Sequence, residues 1–503
     1  SNPRLKILIL EAQDQPGRKI LASGNGRCNL SQLDAGPENF QENVLTRSLL
    51  AKISSEGLQY FFDALGLYTM IDEEGRIFPL SNQASTVLAI LKEVIEKHDI
   101  EIKTNSPVIR LIKLNDIWSL IFLSGENIKS KRVILATGGL AAPQLGGSRA
   151  GYKIAARLGL PIIPVVPALS PLVLAEQGIC QQLKGLRFRA AARLLQKDND
   201  EETWNNDEIV SDFETVETYG NTSFDDSRAE TISALPDNWK IVRQSTGEFL
   251  LTDYGISGIA AMELSEAVAS YCLIDEEEGP VLPVKRAKLR PVKDWYALYE
   301  KQEFALELDL LPGYSDREIE AGLWQRLSSL PPGKRDRILV GMLPLDLAEY
   351  LGREIVRKVA SVLENKQAAK PAGQSPVMSD FAGSVLQSNT ERHVCDNSDS
   401  GFTVKEQNFD DACFINTTLA ALRSWRLKVI GVRGFEQAQA SLGGLDTASV
   451  NPHTMEVYNL PGLYVTGELL DVLGETGGYN LHFAFASGIA AGEAAAEKLT
   501  AGG

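Results

Sequence analysis

Residues 461–492 read PGLYVTGELLDVLGETGGYNLHFAFASGIAAG. Within them 462–466 (GLYVT) is a short apolar run that suits a buried strand. Gly467-Glu468 and the glycines from Gly474 to Gly478 follow, where a missing Cβ lets the backbone bend and approach a ligand. From Tyr479 to Lys498 the residues are mostly Ala, Leu, Phe and Glu, good helix formers with few breakers. Strand, glycine turn and helix start together predict a helix N-terminus that faces a ligand, whose N–H groups and dipole favour an anionic or electron-rich group. A reduced flavin, negative around N1 and its C2 carbonyl, is such a group. A strand–helix corner whose glycines serve packing alone has the same spacing.

Outward from this stretch, length and composition bound the rest. At about 150 residues per domain, 503 residues predict two to four domains. A hydrophobic share of 44% with 23% charged residues is ample for a large core. The net charge of −16 argues against a phosphate backbone or an anionic membrane surface as partner. No apolar run reaches the length of a membrane span, and no signal peptide precedes the first strand, so a cytoplasmic protein is expected. Five scattered cysteines without a CxxC, and four histidines without metal spacing, give neither a disulfide framework nor a metal site.

At the other end of the chain, 5–11 (LKILILE) reads as a buried parallel strand closed by Glu11, placed as the carboxylate that meets an adenosine ribose in dinucleotide folds. The strand and GxGxxG turn that precede such a carboxylate are not in the sequence. Ser1-Asn2 reads as a vector remnant, and truncation is the expected reason. Residues 16–29 (PGRKILASGNGRCN) put Lys19, Ser23, Gly24, Gly26, Arg27, Cys28 and Asn29 in one anion-handling, backbone-donating loop. Arg27 and Lys19 suit phosphate or ribose. Cys28, between Arg27 and Asn29, is read first as a small packing residue and second as a thiol of lowered pKa.

Four blocks occur in order: PGRKILASGNGRCN, ATGGLAAPQLGGSRAGYKIAARLG (136–159), GEFLLTDYGISGIA (247–260) and PGLYVTGELLDVLGETGGYNL. As a set they resemble the BaiN/RdsA-like family of NAD(P)/FAD-dependent oxidoreductases, bacterial-type flavoproteins. The resemblance implies an α/β fold: a Rossmann-type FAD-binding domain with an inserted β-barrel-like domain and a small inserted helical domain. The expected boundaries are 1–165 with 438–503 for the FAD domain, 166–300 with 366–437 for the β-rich insert, and 301–365 for the helical one. It also implies that backbone near Val108 meets the adenine, that the turn Ala136, Thr137, Gly138 and Gly139 passes close to the cofactor, and that Gly467, Glu468 and Asp471 lie nearby, one carboxylate reaching the ribityl chain. Gly477, Gly478, Tyr479, Asn480 and Leu481 would face the flavin pyrimidine. His482 stands where glutamine is expected, and reads as a supporting substitution ahead of a proton donor.

Between these blocks, 54–67 and 86–97 carry helical patterning and 101–112 reads as one strand. Residues 117–123 and 127–135 read as a hairpin. The segment 161–171 has prolines at 161, 164, 167 and 171 and reads as a crossing between domains. Residues 184–196 and 240–252 look β-rich, and 260–270 helical. Residues 198–237 hold thirteen acids against one base, Arg228, and read as a solvated insertion. Ser315 to Glu318 is a capping box ahead of a helix to 327. Helices are also expected over 334–342 and 346–363, a polar excursion over 366–411, and strand at 427–431.

The function these readings point to is an FAD-dependent oxidoreductase taking hydride from NAD(P)H, which visits transiently, to a small organic acceptor. An oxidase passing electrons to oxygen is a neighbouring reading. The rival of another class is a redox-silent scaffold of the same fold. Neither nucleic acid nor membrane is expected as partner. As it begins, the chain is expected to bind FAD more weakly than one carrying the phosphate turn.

Overall fold

The computed structural model describes residues 5–41, 44–197, 238–270, 303–368 and 411–501. The acidic stretch 198–237 and most of the polar excursion 366–411 lie outside the described residues. The chain divides into two units, Ser1–Asp200 with Asp237–Leu306 and Leu427–Gly503, and Glu201–Pro236 with Glu307–Arg426.

In the first unit, short strands form two parallel pairs. Leu8–Leu10 pairs with Glu101–Lys103, and Leu463–Val465 with Val133–Leu135. Leu463, Tyr464 and Val465 are all fully buried, as their unbroken apolar run requires. The helix Tyr479–Ala501 covers them and places Phe483, Ala486, Ala490 and Ala491 in the same core as Trp118 and Tyr152. The small alanines let helix and strand approach closely.

The expected single strand at 101–112 is broken. Asn105 takes φ 50° before Pro107, so Glu101–Lys103 stays in the parallel pair while Val108–Leu114 turns off. The latter joins Ile117–Phe122 and Asn127–Ser130 in an antiparallel three-stranded sheet. The expected hairpin partner 127–135 likewise splits, because Val133–Leu135 leaves the hairpin to pair with Leu463–Val465.

The proline-rich crossing is itself a strand. Ile162–Ala168 runs antiparallel to Ala440–Leu445, with a register shift between Ile163 and Val166. Pro164 falls inside that shift, where a missing N–H does no harm. Gly443 faces it at φ 85°, and a Cβ there would stand 2.0 Å from the Pro164 carbonyl, so only glycine fits. The two passages of the chain therefore travel side by side to a closed barrel. Its strand order is Leu172–Leu174, Gly255–Ser257, Trp239–Leu251, Arg187–Lys197, Phe304–Asp309 and Trp425–Val432. The helix Ile259–Ser270 follows the second of these.

The described residues of the second unit are mainly helical. Asp316–Ser329 begins at the Ser315 capping box, whose side chain accepts from Glu318 N while Glu318 returns to Ser315 N. Leu345–Ala368 is the long helix expected from 346 onward. The helix expected over 334–342 is not formed: Gly341 adopts φ 97°, which no continuing helix tolerates, and only Arg335–Arg337 makes a single 3₁₀ turn. Asp411–Arg423 is a helix the sequence reading did not name. Its Arg423 guanidinium holds Asp309 at 2.9 Å and Asp316 at 2.7 Å and donates to the Leu311 carbonyl at 3.0 Å.

Candidate functional site

The C-terminal glycine turn is held open by its own chain. Asn480 Oδ1 accepts from Gly474 N at 2.9 Å, and its Nδ2 donates to the Gly474 and Glu475 carbonyls at 2.8 and 3.2 Å. Asn480 is thus a staple across the loop. Gly477 and Gly478 then take φ 118° and 108°, a pair of turns that a side chain would strain. The helix begins at Tyr479, whose hydroxyl donates to Asp34 Oδ1 at 3.0 Å. Burial foremost, with the Asp34 hydrogen bond next, holds that phenol well above its usual pKa. The leading N–H groups of the helix, through Leu481, have no intrahelical partner by position.

Against this turn lies the N-terminal loop. A Cβ on Gly478 would stand 2.7 Å from both Asn29 Oδ1 and the Ser31 carbonyl. Asn29 is only 9% exposed, and its Oδ1 has no hydrogen-bond partner. Gln32 Oε1 is a second unpartnered buried acceptor, beside Gly477. Buried acceptors of this kind can take a donor from a water or from a ligand.

Upstream, Gly24, Asn25 and Gly26 take φ 56°, 56° and 81°, a run of left-handed residues that curls the loop. Ser23 Oγ donates to the Ile20 carbonyl at 2.7 Å, and Arg27 stacks 4.4 Å over the Phe78 ring. Cys28 is fully buried among Leu30, Leu58, Phe62 and Val87. Burial raises its pKa, with only a partial opposing effect of a Ser23 hydrogen bond. The low-pKa reading of Cys28 is therefore corrected: proximity to Arg27 in sequence does not bring that cation to the thiol.

Lys19 meets Glu468 at 3.0 Å, so the two ends of the chain are joined a second time. Glu468 Oε1 accepts from Ser441 N at 2.7 Å, and its carboxylate packs on Gly139, where a Cβ would stand 2.7 Å from Cδ. Ser441 Oγ in turn accepts from Leu140 N and Ala141 N at 3.0 and 3.1 Å. The turn from the exposed Ala136 and Thr137 through Gly138, at φ 69°, to buried Gly139 is thereby fixed to the strand Ala440–Leu445. Gly467, φ 63°, is held by Ser487 Oγ at 3.0 Å. Asp471 accepts from Gly443 N at 3.0 Å, and burial raises its pKa.

Glu11 belongs to a separate group. Its N–H donates to Lys103 O at 2.9 Å, its carboxylate accepts from Gln13 N at 2.8 Å, and its carbonyl accepts from Ser106 N at 2.9 Å. Val108 starts the neighbouring strand and pairs with Phe122. Arg18 reaches back to Gln13 at 3.3 Å, linking this group to the loop that carries Lys19.

The sequence reading missed Ser31, Gln32 and Ser441. Ser31 and Gln32 follow GRCN after Leu30, and Ser441 sits in the strand Ala440–Leu445. Only pairing across the chain reveals them. His482 is fully buried; its Nδ1 lies 2.7 Å from Ser31 Oγ and its Nε2 3.0 Å from the Ile53 carbonyl. A carbonyl accepts only, so Nε2 carries the proton and Ser31 donates to Nδ1. This neutral imidazole ties the helix start to the loop, a supporting role.

Burial lowers its pKa, partly offset by the Ile53 bond. The unfolded chain takes up this proton near pH 6.5, as an unperturbed histidine does at about that value, and the folded chain only at lower pH. The stabilising contribution is thus present above about pH 6.5 and lost as pH falls through the folded value. Between about pH 7 and pH 5 the melting temperature should fall more steeply for the natural chain than for His482→Gln, which keeps both bonds without titrating. Parallel slopes would refute this.

The family model for the HI0933-like protein Rossmann domain matches residues 1–494. The 3-dehydro-bile acid delta(4,6)-reductase of Clostridium scindens is 28% identical over 495 residues, covering 98% of this chain and 93% of that protein. The ribosomal RNA dihydrouridine synthase of Escherichia coli is 24% identical over 484 residues, covering 96% and 90%. A solved structure of a flavocytochrome c3 fumarate reductase in its open conformation is 12% identical, covering 97% of this chain and 77% of that one at a TM-score of 0.32. The family match runs through both parallel strand pairs, the barrel and the C-terminal glycine turn: the chain belongs to the HI0933-like Rossmann-domain family.

Proposed function

We propose that the chain is an FAD-dependent oxidoreductase that takes hydride from NAD(P)H and passes it to a small organic acceptor. The observation that carries this reading is the buried, unpartnered Asn29 Oδ1 beside Gly478 at the start of a long helix. A flavin pyrimidine offers one imide N–H between two carbonyl groups. Asn29 would take the N–H, and the first helical N–H groups would hold an electron-rich edge. Lys19, Glu468 and the turn at Gly139 would hold the middle of the cofactor, and Glu11 its ribose.

When bound, the flavin supplies the hydride and electron chemistry. The chain's own part is to orient the ring, keep Tyr479 protonated against Asp34, and hold Asn480 and His482 as braces behind the turn. The FAD-binding part is assigned to 1–165 with 438–503, the β-rich insert to 166–300 with 366–437 and the helical insert to 301–365. One relative acts on ribosomal RNA, which makes an RNA base the competing acceptor. A net charge of −16 opposes a polyphosphate backbone and favours the small molecule.

The test is an anaerobic titration of the FAD-loaded chain with NADH or NADPH, followed by addition of a conjugated enone or of an RNA. Bleaching of the flavin absorption by the nicotinamide and its return with the enone alone is expected. Return only with RNA would move the acceptor to the other class, and no bleaching would contradict the donor.

A further inference from the structure

A second set of contacts reaches the glycine turn from the barrel side. Along the strand Trp239–Leu251 the exposed Gln244, Thr246 and Glu248 alternate with the half-buried Arg243 and Ser245. The helix Ile259–Ser270 presents Glu263 and Glu266, three residues apart and so on one face. Glu263 Oε2 accepts from Ser245 Oγ at 2.7 Å, and its Oε1 accepts from Thr476 Oγ1. Glu266 pairs with Arg243, and Arg243 also lies 4.0 Å from Glu475. Both residues ahead of Gly477 are thus held by the barrel strand and its helix.

We propose that Glu263 is a positioning residue that, through Thr476, sets where Gly477 and Gly478 stand. This rests on the flavin reading of that turn. The two glycines are the most freely rotating residues in it, so their path is decided by their anchors. Asn480 anchors Gly474, but on the far side of the loop. Glu263 anchors Thr476, immediately before Gly477, and each of its oxygens is committed to one hydroxyl. The barrel portion is thereby coupled to the place where the flavin ring is held, and a shift of the helix Ile259–Ser270 moves the turn.

The experiment is a double-mutant cycle on the full chain with FAD as the probe, reading the dissociation constant and the fine structure of the bound flavin spectrum. Glu263→Ala and Thr476→Val are each expected to weaken FAD about tenfold, and the double variant no further, because both remove one interaction. Glu263→Gln keeps an acceptor for Thr476 and should stay within about threefold, with the natural spectrum. Thr476→Ser keeps the hydroxyl and should do the same. If Glu263→Ala does not fold, the Thr476→Ser and Thr476→Val pair decides alone, and equal affinities overturn the proposal. Saturable FAD binding by the natural chain with effects that multiply, or with no effects, overturns the role of Glu263 and leaves the flavin reading standing. Absence of FAD binding by the natural chain removes both.

Discussion

Gly478→Val is expected to abolish useful flavin binding, weakening FAD by about a hundredfold or more. A β-branched residue at φ 108° is strained, and its Cβ would press on Asn29 Oδ1 and the Ser31 carbonyl at 2.7 Å. Backbone strain of about 1–2 kcal/mol and overpacking of about 1–3 kcal/mol add to roughly 3 kcal/mol. At about 1.4 kcal/mol per tenfold change, that is the hundredfold loss. Gly488→Ala, further along the same helix with nothing within 4 Å of the added carbon, is the control and should leave affinity unchanged. An FAD titration of both variants, with thermal unfolding to confirm that each is folded, checks this. Natural affinity in folded Gly478→Val would remove the turn from the site.

Asn29→Leu is expected to have effects of opposite sign on stability and on binding. In the chain alone the Asn29 oxygen is buried without a donor, an arrangement that costs about 1–3 kcal/mol. Replacing it with an apolar side chain of similar size should raise the melting temperature. The same change removes the acceptor for the flavin imide and should weaken FAD about tenfold, a net loss of about 1.4 kcal/mol. A residue that serves packing alone would move both quantities the same way. A destabilised variant with unchanged FAD affinity would give Asn29 that role.

The strand, turn and helix of residues 461–492 were legible in the sequence because each has a local cause. Leu463–Val465 is an uninterrupted apolar run, the glycines supply positive φ, and the alanine-rich helix carries only Gly488 and Gly492 as weak breakers before Ala501. The capping box at Ser315 was legible for the same reason, since its partners are three residues apart. What brings Asn29 to Gly478, or Ser31 to His482, is packing between opposite ends of the chain, and no local pattern encodes it. Cys28 shows how weak sequence neighbours are as a guide: Arg27 and Asn29 beside it are polar, yet at φ 60° its thiol packs with Leu58 and Phe62, as its first reading as a packing residue expects. The helix expected at 334–342 failed on a single glycine at positive φ, and Asp411–Arg423 went unnamed although Phe414, Ile415, Thr418, Ala421 and Leu422 are buried at helical spacing. Of the site, the glycines, the flanking charges and Asn29 were readable; the second unpartnered acceptor, Gln32, was not.

The central claim is that the buried Asn29 acceptor and the Gly477–Gly478 turn receive a flavin pyrimidine. It is tested most directly by titrating the chain with FAD and with FAD methylated at the imide nitrogen. Saturable FAD binding is expected, with the methylated cofactor about tenfold weaker on the natural chain and no weaker than FAD on Asn29→Leu. Equal affinity of the two cofactors for the natural chain, or no saturable FAD binding at all, would contradict it.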